Sequence, residues 1–85
     1  MPVISRFFGI VIAMYWRDHS PPHFHAKYAG QEAELDIETG AVIGHLPPRA
    51  LGLVQEWRQL HTTELRADWK RAESRRTLLK IRPLE

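Results

Sequence analysis

Glu32-Ala33-Glu34-Leu35-Asp36-Ile37-Glu38 alternates acidic and apolar side chains without a break. Neighbouring residues of a strand point to opposite faces, so Ala33, Leu35 and Ile37 share one face and the acids share the other. Period two with one charged face marks a half-buried antiparallel strand. After it, Glu38-Thr39-Gly40 is a turn signal and Ala41-Val42-Ile43 returns as a short strand. Before it, Ala29-Gly30-Gln31 is a hairpin connection from a strand over His23–Tyr28. Earlier still, Val3–Phe8 and Ile10–Trp16 are rich in β-branched and aromatic residues, and Gly9 between them supplies a tight turn. The first half therefore reads as an antiparallel meander of about five strands.

Downstream the period changes. Leu46-Pro47-Pro48 ends the sheet, and proline suits a first helical position because its φ is already set and its missing N–H would have no partner there. Ala50, Leu53, Val54, Trp57 and Leu60 or His61 recur at three- and four-residue steps, and Leu65, Trp69 and Ala72 continue the stripe after some drift. The choice lies between one long helix to about Ser74 and two helices meeting at His61-Thr62-Thr63. The spacing favours one helix with a kink, laid across one face of the sheet. Thr77–Ile81 reads as a short final edge strand that Pro83 stops. The fold class is α+β in a single domain spanning residues 1–85.

Whole-chain properties narrow the function classes. A domain of 85 residues buries only roughly 60% of its unfolded surface, so its stability margin is thin. With 44% hydrophobic residues and a net charge of only +2, disorder is rejected. There is no cysteine, which removes disulfides, thiolate nucleophiles and cysteine-based zinc sites, and fits a reducing, cytoplasmic location. The apolar run Val3–Trp16 is broken by Arg6 and ends in Tyr15-Trp16-Arg17-Asp18, so it fits neither a signal peptide nor a membrane span, which needs about 20 apolar residues. It reads as core strand, and no membrane association is expected.

Chemistry concentrates in His19-Ser20-Pro21-Pro22-His23-Phe24-His25. On an extended chain His23 and His25 project from one face, and His19 can fold back towards them across the stiff Pro-Pro segment. Three imidazoles with an open fourth position suit a divalent metal, zinc first, with Asp18 as a fourth ligand or as the acceptor that fixes a tautomer. The competing reading is a histidine face that only hydrogen-bonds to carboxylates. The same rings also suit general acid–base work in a small ribonuclease-like enzyme, with Arg17, Lys27 and Arg49 neutralising phosphate. The catalytic candidates are thus His23, His25 and Asp36, and the metal candidates His19, His23 and His25.

The acids of 32–38 read as a solvated face, Asp36 being the exception that a neighbouring strand brings near the histidines. Trp16, Trp57 and Trp69 read as core anchors. Arg66, Lys70, Arg71, Arg75, Arg76, Lys80 and Arg82 crowd the last quarter of the chain. They either complement a helix C-terminus or form a nucleic-acid surface, for which Lys70, Arg71, Arg75 and Arg76 are the contact candidates.

The opening Pro2-Val3-Ile4-Ser5-Arg6-Phe7-Phe8-Gly9-Ile10, then Met14-Tyr15 and the histidine block closely resemble the small prokaryotic domain-of-unknown-function family numbered 4160. The similarity continues through Asp36-Ile37-Glu38-Thr39-Gly40, Leu46-Pro47-Pro48-Arg49-Ala50-Leu51, Glu56-Trp57, Leu60-His61 and Ile81-Arg82-Pro83-Leu84. The resemblance brings no biochemical activity with it. It implies a stand-alone bacterial or archaeal protein, often encoded beside another small domain in the manner of a toxin–antitoxin pair. The function expected from it is a component that binds a small protein encoded by a neighbouring gene, with homo-oligomerisation open.

Overall fold

A computed structural model describes residues 2–85. The strands are β1 (Val3–Phe7), β2 (Ile10–Ala13), β3 (His23–Tyr28), β4 (Gln31–Asp36) and β5 (Val42–Gly44). They form one antiparallel sheet in the order β1-β2-β3-β4-β5, followed by helices α1 (Pro48–Leu60) and α2 (Thr62–Glu73). No helix among the described residues is long and apolar enough to cross a membrane.

Both tight hairpins turn on two residues of positive φ, Phe8-Gly9 and Ala29-Gly30. Such turns match the right-handed twist of the flanking strands. The second fixes the register of the central pair: Tyr28 faces Gln31, Lys27 faces Glu32, His25 faces Glu34 and His23 faces Asp36. Alternation then sends Phe24 and Ala26 to the same side as Ala33 and Leu35, all fully buried. With Ile10, Ile12 and Ile37 they meet Ala50, Val54 and Trp57 of α1 and Leu65, Trp69 and Ala72 of α2. Trp57 is the centre of this core, its ring 5.5 Å from Phe7 and 5.7 Å from Phe24, and its indole N–H donates to the Arg82 carbonyl at 2.9 Å.

The single long helix expected from the sequence is two helices. A straight helix over 48–73 would be ~39 Å long at 1.5 Å per residue, beyond the 33 Å longest extent of the molecule. The break falls at His61, which leaves helical geometry at φ −124°. Its amide is shared between the Trp57 and Arg58 carbonyls, and the Thr62 hydroxyl donates back to the Arg58 carbonyl at 2.8 Å. A threonine bonding back by one turn competes with the backbone ladder and bends helices.

The expected final edge strand is also absent as a strand. The tail lies along β1 through one backbone bond, from the Ile81 amide to the Ile4 carbonyl at 2.7 Å, while Ile81 and Leu84 pack into the core. A ladder has nothing to extend on: β1 is irregular between Val3 and Ser5, the Leu79 amide donates to the buried Asp68 carboxylate, and Pro83 has no N–H. The strand read from Ile10 to Trp16 stops at Ala13, and Trp16, expected in the core, is half-exposed.

Asp36 closes β4 with a turn of its own. Its Oδ1 accepts the Glu38 amide at 2.8 Å and the Thr39 amide at 2.9 Å, the Asx arrangement that favours aspartate in turns. The Thr39 amide outweighs the effect of partial burial and, with the Glu38 amide and the nearby Arg58 charge, holds the carboxyl below its ordinary value of 3.8.

Two outcomes follow for stability. Trp57→Ala is expected to cost ~3–5 kcal/mol, a large part of the total for a domain of this size, whereas Leu60→Ala on the exposed helix end is expected to stay within ~0.5 kcal/mol; urea unfolding of the two variants checks this. The Asp36 carboxyl ionises more readily folded than unfolded. Its contribution is therefore complete above the unfolded value and is lost as pH falls below 3.8 through the folded one. Asp36→Asn is expected to flatten that part of the acid limb in a pH series of urea midpoints.

Candidate functional site

The sheet face opposite the core is polar, and its centre is hidden. His23 is only 4% exposed and His25 7%. Register places them side by side on β3, with ring centroids 5.2 Å apart. The irregular segment 14–22 folds over them. Tyr15 stands edge-on to His25 at 4.5 Å, and Trp69 of α2 lies 5.4 Å from His23. The Ser20–Pro21 peptide bond is cis.

Each imidazole is held by its Nδ1. In His23, Nδ1–H donates to the Pro21 carbonyl at 2.8 Å; in His25, Nδ1–H donates to Glu32 Oε2 at 3.0 Å. A carbonyl and a carboxylate only accept, so both Nδ1 atoms carry protons, and a neutral ring then has its lone pair on Nε2. Both Nε2 atoms face one oxygen, Asp18 Oδ2, at 3.0 Å from His23 and 3.3 Å from His25. Glu34 Oε2 lies 3.8 Å from the same His23 nitrogen. Burial raises the Asp18 carboxyl, but the His19 amide, the His25 ring and the neighbouring His23 and His19 rings bring it below its ordinary value. Asp18 is thus an anion that both Nε2 atoms face, and the three atoms are joined either by protons on the Nε2 atoms or by one cation among them.

The three ligand atoms of Asp18, His23 and His25 lie within 4.8 Å of one another. Tetrahedral zinc with bonds of about 2.0–2.1 Å separates its ligand atoms by roughly 3.3 Å, close to the two nitrogen–oxygen distances here. His19, His23 and Glu34 make a second such group around the same His23. The three histidines therefore do not surround one point. His19, with a side chain 75% exposed, bonds Asp18 Oδ1 at 3.0 Å and stands 5.3 Å from the His23 ring on its outer side.

The other residues singled out from the sequence are dispersed. Asp36 shares with His19, Pro21, His23, Glu34, Ala41 and Ile43 the lining of a small hollow beside the rings, but its Oδ1 serves the turn. Lys27 is on the histidine face, above Tyr15 and 3.8 Å from Glu32. Arg49 lies in the first turn of α1, beside a hollow lined by Phe8, Tyr28 and Leu53. Arg71 is paired with Asp68, while Lys70, Arg75 and Arg76 are exposed at the end of α2, and Arg17 faces solvent beside them.

Sequence reasoning missed Glu32 and Glu34, which it took for a solvated face. A two-residue turn at Ala29-Gly30 puts Glu34 opposite His25 and Glu32 opposite Lys27; a three-residue turn gives no such pairing. Glu38, the last of that row, is bound instead by both nitrogens of the Arg66 fork at 2.6 Å.

No curated protein and no solved structure matches the chain. The family model described as Domain of unknown function (DUF4160) matches residues 9–70, which include β2 to β5, the histidine segment and most of both helices. The chain belongs to that family.

Proposed function

We propose that this is a divalent-metal-binding protein whose ion is held by His23 Nε2, His25 Nε2 and Asp18. One observation carries this reading: both Nδ1 atoms are tied to acceptors, and both Nε2 atoms converge on a single carboxylate oxygen. Metal-ligating histidines are ordinarily oriented in this way, the second ring nitrogen donating to a carbonyl or carboxylate. Two imidazoles and a carboxylate suit zinc, and also iron or nickel. His19 and Glu34, beside the same His23, are the groups placed to complete or exchange a ligand.

The metal-free ribonuclease reading is less well supported. Asp18, Glu32, Glu34 and Asp36 stand around the rings, while the cations among the described residues are fewer: Lys27, engaged with Tyr15 and Glu32, and Arg58 near Asp36. A phosphodiester would meet repulsion there. Carboxylates in excess of cations are the setting for a bound cation.

Titration of tag-free protein with zinc, followed at the histidine ring protons by NMR, tests the proposal. One equivalent is expected to shift His23 and His25 while leaving His45 unchanged. Glu32→Gln, which keeps all three ligands, is expected to weaken binding ~10–100-fold, and His23→Ala to abolish it. Rings that carry a proton on both nitrogens throughout and ignore stoichiometric zinc would sink the idea.

A second reading, a docking component of a toxin–antitoxin-like gene pair, is favoured by the outer edge of β5. Among the described residues that strand pairs only with β4, all three of its residues are exposed, and Ile43 is 71% exposed. An open edge takes an added strand from a partner. Co-expression with the product of the adjacent gene is expected to give a complex that survives size-exclusion chromatography and that Ile43→Lys disrupts; separate elution at micromolar concentration counts against it.

A further inference from the structure

Three exposed arginines and an exposed tryptophan, distant in sequence, meet at the end of α2. The indole N–H of Trp16 donates to the Arg76 carbonyl at 2.8 Å, yet 47% of the residue remains open to solvent. Its one polar atom is therefore committed, and what it offers to solvent is apolar ring held at a fixed edge. The amides of Arg17 and Arg75 both donate to the Ala72 carbonyl, at 3.3 and 3.2 Å, which brings the two chain segments into register. Arg17, Lys70, Arg75 and Arg76 make no ion pair among the described residues. The nearby carboxylates are largely spent: Asp18 turns inward to the histidines and Asp68 is bound by Arg71 and the Leu79 amide, leaving Glu73 on the last turn.

We propose that Trp16, with Arg17, Arg75 and Arg76, is a stacking platform for single-stranded nucleic acid. Cations at a helix C-terminus are explained by the macrodipole alone, but the exposed indole is not. Nor does the dipole explain the left-handed backbone of Arg17 (φ 58°) and Arg75 (φ 57°). Arg75 follows the helix where glycine normally relieves that conformation; an arginine there adds an exposed cation next in sequence to Arg76, whose carbonyl holds the indole, at a steric cost. A fixed aromatic surface flanked by unpaired guanidinium groups is what unpaired bases and their phosphates recognise: the ring stacks on any base, and the cations track the backbone. A duplex hides its base faces. A membrane surface calls for several apolar side chains to enter together, whereas a single anchored ring is presented here.

The test is binding of fluorescein-labelled oligo(dT) and oligo(U) to the full chain by anisotropy across a salt series, with a matched duplex and phosphatidylserine vesicles alongside. Both single strands are expected to bind, with a slope of log Kd against log salt near 2 for three phosphate contacts at ~0.7 each. Trp16→Ala is expected to weaken binding roughly 5- to 100-fold. Arg75→Gly separates function from fold: it is expected to raise the thermal midpoint, by relieving the left-handed position, while weakening binding and lowering the slope by ~0.7. Absence of binding, equal affinity for duplex, binding to vesicles in place of oligonucleotides, or indifference to both substitutions would each overturn the proposal. RNA and DNA arms that differ widely would support the platform and assign its natural ligand.

Discussion

The pairing of β3 with β4 is the constraint on which the rest of the molecule depends. Its register follows from a turn of only two residues, Ala29-Gly30, which fixes every opposing pair back to His23 and Asp36. A slip by one residue would send each side chain of the moved strand to the other face. Phe24 and Leu35 would then leave the core, and Glu34 would leave the imidazoles. Core and candidate site are the two faces of one register. The apolar face makes that register costly to lose, so the histidine face inherits its precision from the packing around Trp57. A site built on a central strand with its rotamers locked from behind is held more rigidly than one built on loops.

The polar face obeys a different economy. Buried polar groups must find partners, and here almost all do: Pro21, Glu32 and Asp18 absorb the four ring nitrogens of His23 and His25. The partners are all acceptors. A structural histidine pair would more simply be balanced by one donor and one acceptor at each ring, leaving no surplus lone pair. Surrounding two rings with acceptors alone sets up a demand for positive charge between Asp18 and the Nε2 atoms. Protons on the Nε2 atoms, or one divalent ion, would meet it.

Most of the fold was legible because its signals are local. The alternation through Glu32–Glu38, the turn at Thr39-Gly40 and the change of period after Pro48 are properties of short stretches, and the meander follows from them. The place of the helix break, His61-Thr62-Thr63, was legible, but the choice of a break over a kink was not. Periodicity does not show that one straight helix would outrun the 33 Å molecule, or that the Thr62 hydroxyl bonds back to the Arg58 carbonyl. The missing edge strand depends on Asp68, a buried carboxylate that captures the Leu79 amide. For the site, the shared face of His23 and His25 came from period two alone. Asp36 does stand opposite His23, whereas Glu34, opposite His25, was passed over because the turn length was left undetermined, and one residue of loop decides which acid stands opposite which ring. Trp16 was taken for a core anchor because composition cannot distinguish a buried indole from a pinned, exposed one.

The segment between β2 and β3 joins the two surfaces on which function is proposed. Successive residues serve opposite sides: Tyr15 packs on His25, Trp16 and Arg17 bond to the end of α2, Asp18 returns to both imidazoles, and Pro21 holds His23. Ordering such a segment costs about 1–2 kcal/mol per residue in backbone entropy, and no ladder bonds offset it. Its order rests instead on side-chain contacts at its two flanks and on isolated backbone bonds such as that from the Arg17 amide to the Ala72 carbonyl. Whatever secures one flank removes part of the entropy the other must overcome, so the two are coupled through the intervening Arg17–Asp18 peptide without any change in average structure. An ion drawing Asp18 towards the rings would thereby hold Trp16 and Arg17 in place. By reciprocity, a ligand seated on Trp16 would favour the conformation in which Asp18 faces the histidines.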